Sequence, residues 1–246
     1  MRIKVLLTVC FLLFVQKTVC GQSSNETLAK DYYEKAMGSA TNGYLQKAAD
    51  LGYAPAQYDL AICYSNGFGN QRNDYSIAVK WLKKAANQGY IKAQVKLASF
   101  YSNGYGVKQS DKEAVKWFKK AAEQGDAGAQ NDFAFCLENG IGVSQNMELA
   151  FYWYMKSAEQ GYARAQYNLG ICYYEGNGIL LDEVKAVNWF RKAANQGYAN
   201  AQHSLGVCYY LGNGVKENKE KARELFEKAA AQGHKNAQSV LEEYFY

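Results

Sequence analysis

Beyond the amino-terminal apolar run and Cys20, six side chains have the types that could do chemistry: Cys63, Cys136, Cys172, Cys208, His203 and His234. Thiols and imidazoles together could ligate zinc, attack a carbonyl or close disulfides. Their spacing argues against all three. The cysteines fall at one position of an internal repeat, so on stacked equivalent helices they stand about one interhelical distance apart, ~8–10 Å. A disulfide needs Cα atoms within ~7 Å. No Cys-x-x-Cys or His-x-x-x-His gathers ligands toward one point. The thiols are therefore read as small, buried apolar residues. Neither histidine aligns with an Asp or Glu in a manner that suggests a triad, and both are read as surface residues. The chain has no Gly-x-Ser-x-Gly and no Ser-x-x-Lys. Its Gly-x-Gly pairs follow no strand, so they do not form a nucleotide cradle. The sequence predicts no enzyme, no catalytic residue, no metal ligand and no cofactor site.

The repeat explains why these residues are where they are. A closing segment of the Lys-Ala-Ala-x-Gln-Gly kind ends at Gly52, Gly89, Gly125, Gly161, Gly197 and Gly233, at intervals of 37, 36, 36, 36 and 36 residues. A fixed period of that size marks an array of one supersecondary unit. Five full units are expected, at 53–89, 90–125, 126–161, 162–197 and 198–233. A capping half-repeat precedes them at 22–52 and a capping helix follows at 234–246. The predicted fold class is all-α, a right-handed α/α superhelix of helix–turn–helix repeats. With 48% hydrophobic residues, a single proline and 22 glycines, the composition suits helices punctuated by glycine.

The helix boundaries follow from residue type. Asp74, Ser110, Asn146, Asp182 and Asn218 align as N-caps of the second helices. The closing glycines sit where a left-handed residue ends each one. Ser23 and Glu26 have capping-box spacing for a helix over about 24–37. In the fourth unit Ala165, Leu169, Cys172 and Tyr173 form the expected buried stripe of the first helix. Ala186, Trp189, Phe190, Ala193 and Ala194 form that of the second. Each tryptophan at this position, Trp81, Trp117, Trp153 and Trp189, is expected to anchor the core.

At the amino terminus, Arg2 and Lys4 precede an apolar run from Val5 to Val15 and a polar stretch, the layout of a secretory signal peptide over 1–21. An eleven-residue run is short for a bilayer span. A lipid-modified Cys20 is the alternative. Removal of 1–21 takes away Arg2, Lys4 and Lys17 and no acid, lowering the formal charge from +5 to +2. That leaves no electrostatic case for nucleic acid. The lysines of the second helices, interspersed with Glu113, Glu123, Asp182 and Glu183, read as a solvated face, with attraction to an envelope surface as the alternative. The expected location is exported: periplasmic or secreted in a bacterium, the secretory lumen or exterior in a eukaryote.

Between the repeating positions lies a stripe that varies from unit to unit. Its members are Tyr58, Ile62, Lys92, Ser99, Asn131, Phe135, Arg164, Tyr167, Ile171, Tyr174, His203, Val207 and Tyr210. The fold does not dictate these identities, so they are the expected partner-binding residues. Aromatic anchors with scattered polar groups suit a protein or peptide ligand. The alternative for Ile62, Phe135, Ile171 and Val207 is packing against the adjacent unit.

The Ala-x-Ala-Gln-x-x-Leu-Gly-x-x-Tyr start, the Gly-x-Gly-Val loop and the Lys-Ala-x-x-Trp-x-x-Lys-Ala-Ala-x-Gln-Gly finish resemble the Sel-one-like repeat family, a tetratricopeptide-like class. The resemblance covers 53–233, with Asn70 for the loop Val, Leu225 for the Trp and Phe100 for the Cys. It implies an α/α scaffold or adaptor that holds other proteins in a concave groove, with no bond chemistry. A related cysteine-rich branch carries paired cysteines and is linked to β-lactam binding, which makes an envelope hydrolase or β-lactam-binding protein the alternative function. This chain lacks the second cysteine of each pair.

Overall fold

The computed structural model describes residues 24–38, 42–67 and 73–245. The expected signal segment, Cys20 and Ser23 lie outside these residues, as does the loop at 68–72 with Asn70. Among the described residues the fold is all-α. The chain divides into two compact units, Met1–Ser110 and Asp111–Tyr246.

The first unit contains α1 (residues 24–38), α2 (Asn42–Asp50), α3 (Ala54–Asn66), α4 (Tyr75–Asn87) and α5 (Ile91–Asn103). In it α2 packs on α3, α3 pairs with α4, and α4 packs on α5. The second unit contains α6 (Asp111–Glu123), α7 (Ala127–Asn139), α8 (Met147–Glu159), α9 (Ala163–Glu175), α10 (Glu183–Asn195), α11 (Ala199–Leu211), α12 (Lys219–Ala231) and α13 (Lys235–Tyr244). Here α7/α8, α9/α10 and α11/α12 are the hairpins, each stacked on the next.

The termini are made as the residue types dictate. Asp74, Asn146, Asp182 and Asn218 each accept the backbone N–H three residues on, at Ile77, Leu149, Lys185 and Lys221. The N–H of each of these cap residues also donates back to the paired first helix, as in Asp182 to the Tyr173 carbonyl at 2.8 Å. One residue thus starts the second helix and closes the loop. At the far end Gly89, Gly125, Gly161, Gly197 and Gly233 all have φ between 83° and 94°. Tyr198 N–H then reaches the Ala193 carbonyl, the bond that completes this left-handed ending.

The core is built mainly from alanine, leucine and one large residue per second helix. Ala165, Leu169 and Cys172 are buried as the spacing predicts, and Tyr173 is half-buried against Phe151. The tryptophans depart from expectation. Only Trp117 is buried; Trp81, Trp153 and Trp189 are half-exposed. The residue after the tryptophan fills the core instead: Leu82, Tyr154, Phe190 and, after Leu225, Phe226 are almost fully buried. Each tryptophan lies at the helix edge under the lysine three residues later, with Lys84 3.8 Å from Trp81, Lys120 4.3 Å from Trp117 and Lys192 3.7 Å from Trp189. The basic second-helix stripe is therefore partly a set of cation–π lids.

Candidate functional site

Each first helix opens at a glutamine whose role composition alone does not reveal. Gln166 Nε2 donates to the Ala158 carbonyl at the end of α8, and its Oε1 accepts from Gln196 Nε2 at 2.8 Å. The same arrangement joins Gln57 to Ala49 and Gln88, Gln130 to Ala122 and Gln160, and Gln202 to Ala194 and Gln232. These buried amides take up carbonyls left open at helix ends and tie each first helix to its neighbours on both sides. The signal was present in the sequence, as a polar residue repeated at a core-facing position.

This frame fixes the first-helix face on which the variable stripe lies. Within the first unit Lys92 is exposed, and Tyr58, Ile62 and Ser99 are half-buried. Within the second, Phe135 is 48% exposed and Arg164 is exposed, while Tyr167, Ile171, Tyr174, His203, Val207 and Tyr210 are half-buried. Asn131 is buried at 2%; its amide donates to Asp132 and accepts from Asn168 of the next hairpin.

Many stripe residues also contact the following repeat. Tyr58 packs edge-on against Tyr90 at 5.6 Å, Tyr167 against Tyr198 at 5.4 Å, and His203 stacks on His234 at 4.6 Å. In every case the partner is the residue just before the next first helix. Tyr167 also bonds Ser204. Tyr174 accepts from Asn213 Nδ2 at 2.8 Å, and Tyr210 lies between Tyr244 and Phe245. Ile171 and Val207 pack against core clusters. The stripe is thus a ladder of inter-repeat contacts whose edges are open to solvent. Phe135, Lys92 and Arg164 are its most accessible members.

The cysteines lie where the apolar reading places three of them: Cys136, Cys172 and Cys208 are buried, and Cys63 is half-buried. Burial pushes the thiols up, to about 11 for Cys136, about 12 for Cys172 and about 11 for Cys208. A thiol two or more pH units above the ordinary value has roughly a hundredth of the usual thiolate. Alkylation of the native protein at mildly alkaline pH is accordingly expected to mark Cys63 first. Cys136, Cys172 and Cys208 should lag by at least an order of magnitude until denaturant is added, as site-resolved mass spectrometry would show. Equal labelling of all four would contradict this packing. No cluster of three or more His, Cys, Asp or Glu residues that could hold a metal ion occurs among the described residues.

The two histidines meet, which their separation in sequence concealed. His234 caps α13, its Nδ1 accepting Ala237 N–H at 3.2 Å. The His203 ring lies between His234 and Phe226. Burial first, and then the charge of His234, hold the His203 pKa below the ordinary imidazole value. The unfolded chain therefore takes up the proton first. Stability contributed by neutral His203 is present above about pH 6.5 and is lost as pH falls from there through the folded-state value. His203→Tyr, matching Tyr58 and Tyr167 at the same repeat position, is expected to flatten that part of the stability–pH curve. An unchanged slope in thermal melts between mildly acidic and neutral pH would overturn the assignment.

No described helix is long and apolar enough to cross a membrane. A profile of the Sel1 repeat matches residues 20–36, 43–53, 54–90, 91–126, 127–162, 163–198 and 199–234. Among solved structures, a protective antigen of uropathogenic Escherichia coli displaying an SLR fold is 36% identical, with a TM-score of 0.77 over 93% of this chain. This chain spans half the length of that one. A Sel1 repeat protein from Oxalobacter formigenes is 32% identical with a TM-score of 0.78, covering 88% of this chain and 86% of its own. No curated protein matches.

Proposed function

The chain belongs to the Sel1 repeat family, whose members generally serve as protein-interaction scaffolds, and from that premise we propose that it is an exported, non-enzymatic adaptor holding a protein or peptide in the groove of its first helices. The observation that carries the reading is the contrast between frame and stripe. Caps, closing glycines and glutamine ties repeat from unit to unit, whereas the accessible edge of the first-helix face changes from Lys92 to Phe135 to Arg164. A half-exposed phenylalanine one repeat away from an exposed arginine offers one apolar and one charged anchor, the combination on which hot spots are built. Export is supported by the charged, apolar and polar layout of residues 1–21.

The test is a pull-down from the host's own envelope extract with the natively produced protein and a Phe135→Ala, Arg164→Glu variant. Both side chains are accessible, so circular dichroism is expected to stay unchanged, with at most a small fall in melting temperature from the charge that position 164 presents to Asp132. The partner retained by the parent should bind the variant at least tenfold more weakly. A partner retained equally by both would place the binding face elsewhere.

A further inference from the structure

The fourth repeat carries an apolar surface that the fold does not require. In the loop that joins the two helices of a hairpin, the two residues after Gly-x-Gly-Val are Lys108-Gln109, Ser144-Gln145 and Lys216-Glu217 in the second, third and fifth units. In the fourth unit they are Leu180 and Leu181, 86% and 60% exposed. Ile179, Val184, Leu149 and Leu211 are exposed as well.

These residues lie along one edge of the second unit. The loop of the fourth repeat sits on the first turn of α8, because a Cβ at Gly178 would fall 2.3 Å from the Met147 carbonyl oxygen. Leu149 belongs to that turn. The loop of the fifth repeat sits in the same manner on the first turn of α10, with a Cβ at Gly214 2.3 Å from the Glu183 carbonyl oxygen. Val184 belongs to that turn, and Leu211 leads into that loop. The order along the edge is therefore the start of α8, the apolar loop, the start of α10, and the next loop.

We propose that this edge is the interface of a two-fold dimer formed with a second copy of this chain. The exposed parts of the six residues amount to roughly 600 Å², which alone is at the upper end of what a monomer leaves bare. Two such patches face to face bury on the order of 1,200 Å², the low end of specific interfaces. A closed two-fold contact needs a self-complementary surface. Charge supplies it here. Exposed Glu148 stands at the α8 end of this edge, and exposed Lys216, in the loop seated on the start of α10, stands at the other end. An axis between the Leu180–Leu181 loop and Val184, at the middle of that order, sets the apolar loop of each copy against the start of α10 of the other and Glu148 beside Lys216.

Sedimentation velocity over a hundredfold range of micromolar concentrations tests this with the natively produced protein. The parent is expected to move from monomer to dimer across the range. Leu180→Lys with Leu181→Glu gives the fourth loop the residues that the fifth repeat already tolerates, so it should fold normally and stay monomeric. Glu148→Lys should raise the dissociation constant at least several-fold, and adding Lys216→Glu should restore it. A parent that is monomeric throughout, or a dimer that survives the loop change, overturns the proposal. A charge exchange that fails to restore association overturns the two-fold arrangement.

Discussion

Alanine at Phe190 is expected to cost about 3–5 kcal/mol of folding stability, while alanine at the adjacent Trp189 should cost only about 1–2 kcal/mol. Phe190 is 1% exposed at the centre of a cluster with Leu205 and Cys208, and Tyr167 and Tyr174 rest on its ring at 5.9 and 6.3 Å. Gly170 admits that ring, since a Cβ there would lie 2.5 Å from it. Removing it leaves a cavity that the fixed glutamine ties on either side cannot close. Trp189 keeps one face in water beneath Lys192, so its loss forfeits less. Urea unfolding followed by circular dichroism checks the pair, and the reverse order of the two costs would return the tryptophan to the core. Because Tyr167 and Tyr174 lean on Phe190, the same variant should also weaken any partner held on the first-helix face.

That difference shows where the sequence was legible and where it was not. Caps and closing glycines were readable because they answer local rules: a side-chain acceptor for an orphan N–H, and a residue free to take positive φ. Asp182 and Gly197 needed no knowledge of their neighbours. Trp189 and Phe190 are consecutive, and a helix rotates by about 100° between them, so a periodic pattern places both near the buried side without saying which one points inward. Size suggested the tryptophan. The lysine three residues on, placed to cover the indole, was the available clue for Trp189, though Lys120 follows the buried Trp117 in the same way.

The candidate site was legible in position and only partly in use. Counting along the first helix located Tyr58, Tyr167 and His203 on one row. It gave no sign that Tyr90, Tyr198 and His234 begin the next unit within ring contact, because that contact depends on how far one hairpin is displaced from the next. The displacement is set by the glutamine ties and the loop glycines. A stripe that varies between units can therefore vary for two reasons, partner choice and pairwise matching with the next repeat, and Asn131 with Asn168 is an instance of the second. The second reason reaches Arg164 as well, whose charge acts on the Asp132 carboxyl of the preceding repeat, which leaves the exposed Phe135 as the position where we propose that partner choice is read.

The loop glycines yield the second large effect. Gly176 and Gly178 both have positive φ, 78° and 72°, so alanine at either incurs the left-handed penalty of about 1–2 kcal/mol. They differ in what surrounds them. A Cβ at Gly176 would have its nearest neighbours at 3.6 Å, an ordinary contact. A Cβ at Gly178 would fall 2.3 Å from the Met147 carbonyl oxygen and 3.0 Å from the Glu148 nitrogen, both backbone atoms at the start of α8. Neither can swing aside as a side chain does, so the hairpins must separate, adding about 1–3 kcal/mol of overpacking. Gly178→Ala is thus expected to cost about 2–5 kcal/mol in all and Gly176→Ala about 1–2 kcal/mol. Equal costs in chemical denaturation would mean that the second glycine serves the turn alone. The expected inequality would mean that it also sets the spacing between repeats, on which the bond from Gln166 to the Ala158 carbonyl, the aromatic ladder and the edge bearing Leu180 all depend.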